Sequence, residues 1–131
     1  MEVKIEPIIK WAGGKRQLLN KIIERLPDNF NNYYEPFIGG GAVLFGLAPL
    51  LNNKEIIIND INPQLVNLYQ TVKNETNLFI DKLNELDNIH NESFDKKSYY
   101  LIMRNKYNEM ITSPELFSNA DIAAQMVYIN K

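Results

Sequence analysis

The sequence predicts an α/β protein in which alternating strands and helices are followed by a helical second half. Two short segments, 33–38 and 56–58, are β-branched or aromatic, and each precedes a helical pattern. Alternation of this kind is typical of α/β domains. From residue 78 onward the apolar spacing is helical and no further strand is predicted. With 131 residues, 45% of them hydrophobic, the length favours one compact unit.

The first predicted element is a helix that follows Gly13-Gly14 and ends at Pro27. Its apolar stripe consists of Leu18, Leu19, Ile22, Ile23 and Leu26. The strand 33–38 comes next, runs into three glycines, and is followed by a short helix over 42–47. The continuous isoleucine run 56–58 predicts a strand that is buried on both faces of a parallel sheet. Another helix begins at Pro63, a residue suited to a first helical turn.

The second half shows helical spacing over 78–86, 99–110 and 120–129, with breaks at 90–95 and 112–114. The last pattern reaches Lys131 without a capping signal, so we expect the chain to stop inside a helix, which indicates truncation. A tyrosine-rich stripe on the second of these helices fits a packed core better than a base-stacking platform. It is formed by Tyr99, Tyr100, Met103 and Tyr107.

Charge and composition limit the partners of the chain. The net charge of −2 argues against a uniformly basic nucleic-acid binder, so DNA would need a local patch. Up to Leu26, six cations face three acids; the cations are Lys4, Lys10, Lys15, Arg16, Lys21 and Arg25. A solvated helix face is the other interpretation of this segment. The absence of long apolar runs, of a signal-peptide pattern and of cysteine predicts a cytoplasmic location without membrane contact.

A glycine cluster marks a predicted ligand site where the first strand gives way to a helix. In Glu35-Pro36-Phe37-Ile38-Gly39-Gly40-Gly41, the glycines allow backbone to approach a ligand closely, and a helix N-terminus offers free N–H groups. Asp60 ends the next strand, where a carboxylate can accept hydrogen bonds from both ribose hydroxyls of a nucleoside. The alternatives are a flexible turn for the glycines and a helix-capping role for Asp60.

A third motif, Lys10-Trp11-Ala12-Gly13-Gly14-Lys15-Arg16, precedes these two. It does not match the phosphate-binding pattern G-x-x-x-x-G-K-S/T, so a triphosphate site is not predicted. An aromatic residue, a glycine turn and a lysine at a helix start can hold the carboxylate of a zwitterionic ligand.

In this order, K-W-A-G-G-K-R, Y-E-P-F-I-G-G-G-A and I-I-N-D-I-N-P-Q-L-V-N-L-Y resemble the opening motifs of Dam-type DNA adenine N6-methyltransferases of the alpha arrangement. The resemblance implies a partial Rossmann-like S-adenosylmethionine (SAM) domain over 1–74 and the start of a helical target-recognition insertion over 75–131. It implies that SAM is the cofactor and double-stranded DNA, with GATC as a candidate site, the partner. The implied SAM-binding residues are Trp11, Ala12, Gly13, Gly14, Lys15, Glu35, Phe37, Gly39, Gly40 and Asp60.

The catalytic D-P-P-Y tetrad of that family is not found in these 131 residues, because no two of the six prolines are adjacent. In the family the tetrad accepts the amino hydrogens of a flipped adenine. We therefore expect no catalytic residues here and an inactive fragment. His90 is the sole histidine and is predicted to be an exposed loop residue, so neither a metal site nor a Ser/His/Asp site is expected.

Two rival interpretations stay open at this point. One is a stand-alone SAM- or DNA-binding module without chemistry. The other is half of a nicotinamide-dependent dehydrogenase, which is disfavoured because the glycines do not form G-x-G-x-x-G. Truncation would also leave an apolar sheet edge, so we expect self-association through that edge or through exchanged helices.

Overall fold

The computed structural model describes residues 5–131, so Lys4 of the predicted basic patch lies outside the described residues. The chain divides into two compact units, one ending at Ile61 and one running from Asn62 to Lys131, instead of the single unit that its length favours. The first unit contains both strands and all ten predicted SAM-site residues. The second unit contains four α-helices. The predicted boundary between a SAM-binding part, 1–74, and a DNA-recognising part, 75–131, is a functional one. It stays a prediction.

The first unit has a β–α–β arrangement. Its elements are a 3-10 helix Lys15–Leu18, α1 Leu19–Ile23, β1 Asn32–Glu35, α2 Ala42–Leu47, a 3-10 helix Ala48–Leu50 and β2 Glu55–Ile58. The order and type of the predicted elements are confirmed. The predicted helix before Pro27 is shorter than expected, because it starts as a 3-10 turn and its α-helical part ends at Ile23.

The two strands pair in parallel, with Asn32 opposite Glu55 and Glu35 opposite Ile58. The prediction that the isoleucine run is buried on both faces is wrong, since Ile56 and Ile57 are 44% and 46% exposed. Among the described residues the sheet has only these two strands, so each strand has one unpaired edge and little covering structure. The α/β prediction therefore holds in its coarser form, a small parallel sheet within a mostly helical chain.

The core of the first unit lies between α2 and the apolar stripe that precedes Pro27. Val43, Leu47 and Leu51 are buried. The residues packed against them are Ile22, Leu26, Phe30, Tyr33 and Leu44. Burial of this apolar area fixes β1 against α2 and so positions the glycine-rich turn that joins them.

The second unit consists of α3 Pro63–Asn74, α4 Thr76–Glu92, α5 Lys96–Thr112, a 3-10 helix Pro114–Leu116 and α6 Asn119–Ile129. Its central helix is α6, which is buried at Ala120 and throughout 122–128 and contacts the other three α-helices. A helix that is apolar on all sides is stable only when enclosed in this way. The predicted helical second half is confirmed. Helix α6 ends at Ile129, before the last residue.

The prediction for His90 is wrong. This residue lies within α4, not in a loop, and its Nδ1 is 2.7 Å from the Tyr128 hydroxyl. Its ring also lies 6.2 Å from the ring of Tyr99. The polar composition around His90 suggested a break, but α4 continues to Glu92 because this side of it packs against the aromatic side chains of α5 and α6.

The predicted tyrosine stripe of α5 packs inside the second unit, as expected. The rings of Tyr99 and Tyr100 lie 5.9 and 6.3 Å from that of Tyr128. The Tyr100 hydroxyl donates a hydrogen bond to the Ile129 carbonyl oxygen over 3.0 Å. Over residues 5–131, none of the helices is both long and apolar enough to cross a membrane.

Candidate functional site

The glycine-rich turn continues directly from the parallel strands. The Asn59 N–H donates to the Glu35 carbonyl oxygen over 2.8 Å, and the Ile38 N–H donates to the Asn59 carbonyl oxygen over 2.9 Å. Gly39 and Gly41 then adopt φ values of +52° and +85°, which disfavour residues with a Cβ. These two conformations turn the chain from β1 into the first residue of α2.

Asp60 is directly linked to this turn. Its Oδ2 accepts a hydrogen bond from the Gly39 N–H over 3.0 Å. The capping role that the sequence left open for Asp60 belongs to Asn62, whose side chain accepts from the Gln64 N–H over 2.9 Å. The structure thus brings together the two features that the sequence predicted separately, an acidic residue after β2 and a glycine turn after β1.

The Trp11 segment packs against the same turn. A Cβ on Gly40 would lie 3.0 Å from the Ile9 carbonyl oxygen and 3.1 Å from the Trp11 Cβ. A side chain at position 40 would therefore crowd this approach. Gly13, with φ of +74°, reverses the chain just after Trp11. The two motifs that are separated in the sequence by about 25 residues form one cradle of backbone.

Three side chains connect the strand, the turn and the lysine motif. The Lys15 ammonium donates to the Phe37 carbonyl oxygen and lies 3.7 Å from Glu35 Oε1. The Tyr33 hydroxyl donates to Glu35 Oε2 over 2.6 Å. Glu35 is only 8% exposed, so these partners offset the cost of burying its charge.

Tyr33 is a residue that sequence reasoning missed. Its spacing of two from Glu35 on a strand was the available signal, since residues i and i+2 share one face. Burial, the hydrogen bond to Glu35 and the charge of that carboxylate all raise the pKa of Tyr33 above its ordinary value. The hydroxyl is protonated at neutral pH, as in a tyrosine of ordinary pKa, and is available as a donor.

Among the described residues, two cavities adjoin the cradle. The larger, of about 320 Å³, is lined by Glu6, Pro7, Ile9, Lys10, Trp11, Gly14, Arg16, Gly40 and Ala42. The smaller, of about 20 Å³, is lined by residues of both motifs, including Lys15 and Gly39, and has room for about one water. A volume of several hundred Å³ is within the usual range for small-ligand sites.

The remaining predicted site residues lie around this cradle. Ala12 is exposed, and Phe37 is 69% exposed beside the turn. Asp60 and Glu35 line neither cavity. Lys10 and Arg16, which belong to the basic patch and to the Trp11 motif but were not predicted to bind SAM, line the larger cavity together with Glu6.

Several methyltransferases are similar to this chain. It is 38% identical over 138 residues to the type II methyltransferase M.MjaIII of Methanocaldococcus jannaschii, with 100% of this chain and 46% of that protein covered. It is 34% identical to the type II methyltransferase M1.LlaDCHI of Lactococcus lactis subsp. cremoris, covering 98% and 41%. It is 32% identical to the DNA adenine methylase of Haemophilus influenzae, covering 99% and 41%. The chain therefore spans less than half the length of these relatives.

The model of one protein family matches residues 11–131, which include every predicted site residue and both compact units almost completely. The description of that family is D12 class N6 adenine-specific DNA methyltransferase. The order of the motifs in the sequence agrees with this match. The chain belongs to the D12 class of N6 adenine-specific DNA methyltransferases.

Proposed function

We propose that this chain supplies the SAM-binding part of a DNA adenine N6-methyltransferase. The family uses SAM and binds DNA. The observation that carries the proposal is the hydrogen bond from Gly39 to Asp60, which places a carboxylate beside a glycine turn at the carboxyl end of two parallel strands. In α/β sheets this edge is where nucleotide ligands bind.

The residues present fit the cofactor. A carboxylate at Asp60 suits ribose hydroxyls, and the glycine cradle admits close backbone approach. The Lys15 ammonium suits the carboxylate of the methionine end. The proposed set is Trp11, Ala12, Gly13, Gly14, Lys15, Glu35, Phe37, Gly39, Gly40 and Asp60. When bound, SAM supplies an electrophilic methyl group.

The proposed reaction of the parent enzyme is transfer of that methyl group to adenine N6 in double-stranded DNA, with GATC as a candidate site. We propose that residues 1–74 hold SAM and that 75–131 begin the part that recognises DNA. These 131 residues contain no D-P-P-Y, so we expect the chain alone not to methylate DNA. Labelled methyl transfer from SAM to GATC-containing DNA by the purified chain would contradict this.

Binding of SAM is tested by titration calorimetry up to millimolar ligand. We expect weak binding that Asp60→Ala reduces by about tenfold or more, because hydrogen bonds to charged groups are worth about 1.5–3 kcal/mol. The matched control is Asp28→Ala, an exposed carboxylate of the same unit. Absence of heat with SAM, or equal effects of the two variants, would reject the site.

Two further measurements separate the rival functions. A thermal shift with NAD and none with SAM would favour a dehydrogenase half. A methyltransferase fragment should regain methyl-transfer activity when it is mixed with a polypeptide that corresponds to the part of its relatives that this chain does not cover. A SAM- or DNA-binding module without chemistry should not.

A further inference from the structure

The Tyr33, Glu35 and Lys15 side chains form a continuous link from the core of the first unit to the glycine-rich turn. Each oxygen of the Glu35 carboxylate has its own partner: Oε2 accepts from the Tyr33 hydroxyl over 2.6 Å, and Oε1 lies 3.7 Å from the Lys15 ammonium. The ammonium in turn donates to the Phe37 carbonyl oxygen. The position of Lys15 therefore depends on the orientation of one carboxylate.

Tyr33 is suited to fix that orientation. Its ring packs against the cluster of Val43, Leu47 and Leu51, so the hydroxyl is presented from a rigid base. Glu35 follows two residues later on the same face of β1. The raised pKa of Tyr33 keeps its hydroxyl protonated, so it remains a donor to the carboxylate.

Glu35 lies farther from Lys15 than from Tyr33. At 3.7 Å it is an ion pair beyond hydrogen-bond distance, whereas the tyrosine bond is short. Without the hydroxyl, the buried carboxylate would be left with Lys15 as its main partner and would draw the ammonium away from the turn. The hydroxyl thus allows Lys15 to remain at the Phe37 carbonyl.

We infer that Tyr33 is a positioning residue of the cofactor site, which acts through Glu35 to hold the Lys15 ammonium beside the glycine-rich turn for the carboxylate of the ligand's amino-acid end. The Lys15 ammonium has three N–H donors. Two of them face the Phe37 carbonyl oxygen and Glu35, and the third can face the ligand carboxylate. The inference rests on the proposed function, since the ligand carboxylate is that of SAM.

The test compares Tyr33→Phe with Tyr34→Phe. Tyr34 is the neighbouring tyrosine of β1, is 58% exposed, and its hydroxyl contacts Glu55 outside the link. Two ligands are titrated: SAM, and 5′-methylthioadenosine, which keeps the nucleoside and the methylthio group but lacks the whole amino-acid chain with its carboxylate. We expect Tyr33→Phe to weaken SAM binding by about three- to tenfold while leaving methylthioadenosine binding unchanged. Tyr34→Phe should change neither.

An equal loss of affinity for both ligands in Tyr33→Phe would show a merely structural role and overturn the inference.

A double-mutant cycle that combines Tyr33→Phe with Glu35→Gln is a second test, and it requires only SAM affinities. If Tyr33 acts through Glu35, Tyr33→Phe should cause no further loss of SAM affinity in the Glu35→Gln background, and additive losses would contradict the link. Normal SAM binding that responds to Asp60→Ala but not to Tyr33→Phe would overturn this inference and leave the proposed function intact. Absence of SAM binding by the unchanged chain would overturn both.

Discussion

The Gly39 N–H donates to Asp60 Oδ2 over 3.0 Å, so the turn that follows β1 is tied to the residue that follows β2. The contact crosses 21 positions of the sequence and closes the carboxyl edge of the sheet. Asp60 therefore has a structural partner within the protein in addition to its proposed ligand.

This partner predicts an effect on stability in the absence of ligand. Asp60→Ala removes the acceptor and should lower the free energy of unfolding by about 1 kcal/mol, the usual net value of a hydrogen bond. Urea unfolding of the ligand-free chain measures the change. Asp28→Ala, at an exposed position, should stay within about 0.5 kcal/mol of the unchanged protein. Equal effects of the two variants would contradict a contribution from the Gly39 bond.

Gly40→Ala should disturb the packing of Trp11. The added Cβ would lie 3.0 Å from the Ile9 carbonyl oxygen, and a backbone atom cannot move aside without shifting the chain. We expect a loss of about 1–3 kcal/mol, as for other overpacking substitutions, together with a shift in tryptophan fluorescence. Trp11 is the only tryptophan, so this signal reports on the cradle directly.

The control for Gly40→Ala is Gly13→Ala. Among the described residues nothing lies within 4 Å of a Cβ at Gly13, but its φ of +74° disfavours alanine. The cost there should be about 1–2 kcal/mol from backbone conformation alone. An unchanged emission spectrum in Gly40→Ala would show that Trp11 does not depend on this close approach.

The candidate site residues were proposed from sequence because the signals of their motifs are local. Three ordered motifs pointed to the glycines, Lys15 and Asp60, and the structure has the turn, the lysine and the acidic residue in one unit. Tyr33 was not predicted, because its role depends on a hydrogen bond to Glu35 and on the core that holds its ring. The spacing of two along β1 places both side chains on one face, but it does not show that they are bonded to each other.

The errors of the sequence predictions have the same origin. The isoleucine run was assigned to a sheet covered on both faces, whereas Ile57 is 46% exposed because only one neighbouring strand is present among the described residues. His90 lies in a polar stretch that resembles a loop, yet Tyr128, 38 positions away, makes it part of a packed helix. In both cases the burial or the secondary structure of the residue depended on segments that are distant in the sequence.

Thr71→Val should stabilise the second unit. The side chain of Thr71 is 2% exposed in α3, and its hydroxyl has no hydrogen-bond partner among the described residues. Valine has nearly the same shape and no polar atom, so the cost of a buried unsatisfied group disappears. We expect a gain of about 1 kcal/mol in urea unfolding. Thr112→Val is the matched control, since the exposed Thr112 hydroxyl donates to the Asn108 carbonyl oxygen over 2.7 Å, and it should give no gain.

Asp121 should make stability depend on pH in the acidic range. Burial alone would raise the pKa of this carboxyl, but the hydrogen bonds from Lys82 and Ser118 and the charges of Lys82 and Lys106 lower it below its ordinary value of 3.8. The Lys82 ammonium lies 2.7 Å from Asp121 Oδ1 and joins α4 to α6. A lowered pKa in the folded state means that the stabilisation is complete above the unfolded value and is lost as pH falls through the folded value.

Asp121→Asn tests this dependence. At pH 7 the variant should be less stable by about 0.5–1 kcal/mol, a small value because the side chain is 40% exposed. The difference should begin to shrink as pH falls below about 4, where the carboxyl of the unfolded chain takes up a proton, and it should vanish only at the lower pH at which the folded carboxyl is protonated too. Asp81→Asn, at an exposed position of α4, should show no such trend. A difference that stays constant from pH 7 to pH 2.5 would contradict the prediction.

The last prediction concerns association between copies of this chain. Among the described residues, β1 and β2 each have one unpaired edge, and Tyr34, Ile56 and Ile57 are about half exposed. An apolar strand with free N–H and carbonyl groups is a template for pairing with another strand. We expect sedimentation velocity at tens of micromolar to show dimers or larger species, and Ile57→Lys to dissociate them. Ile80→Lys, at an equally exposed isoleucine of α4, should leave the assembly intact. A clean monomer would overturn the prediction, and an assembly that survives Ile57→Lys would point to exchanged helices instead of sheet edges.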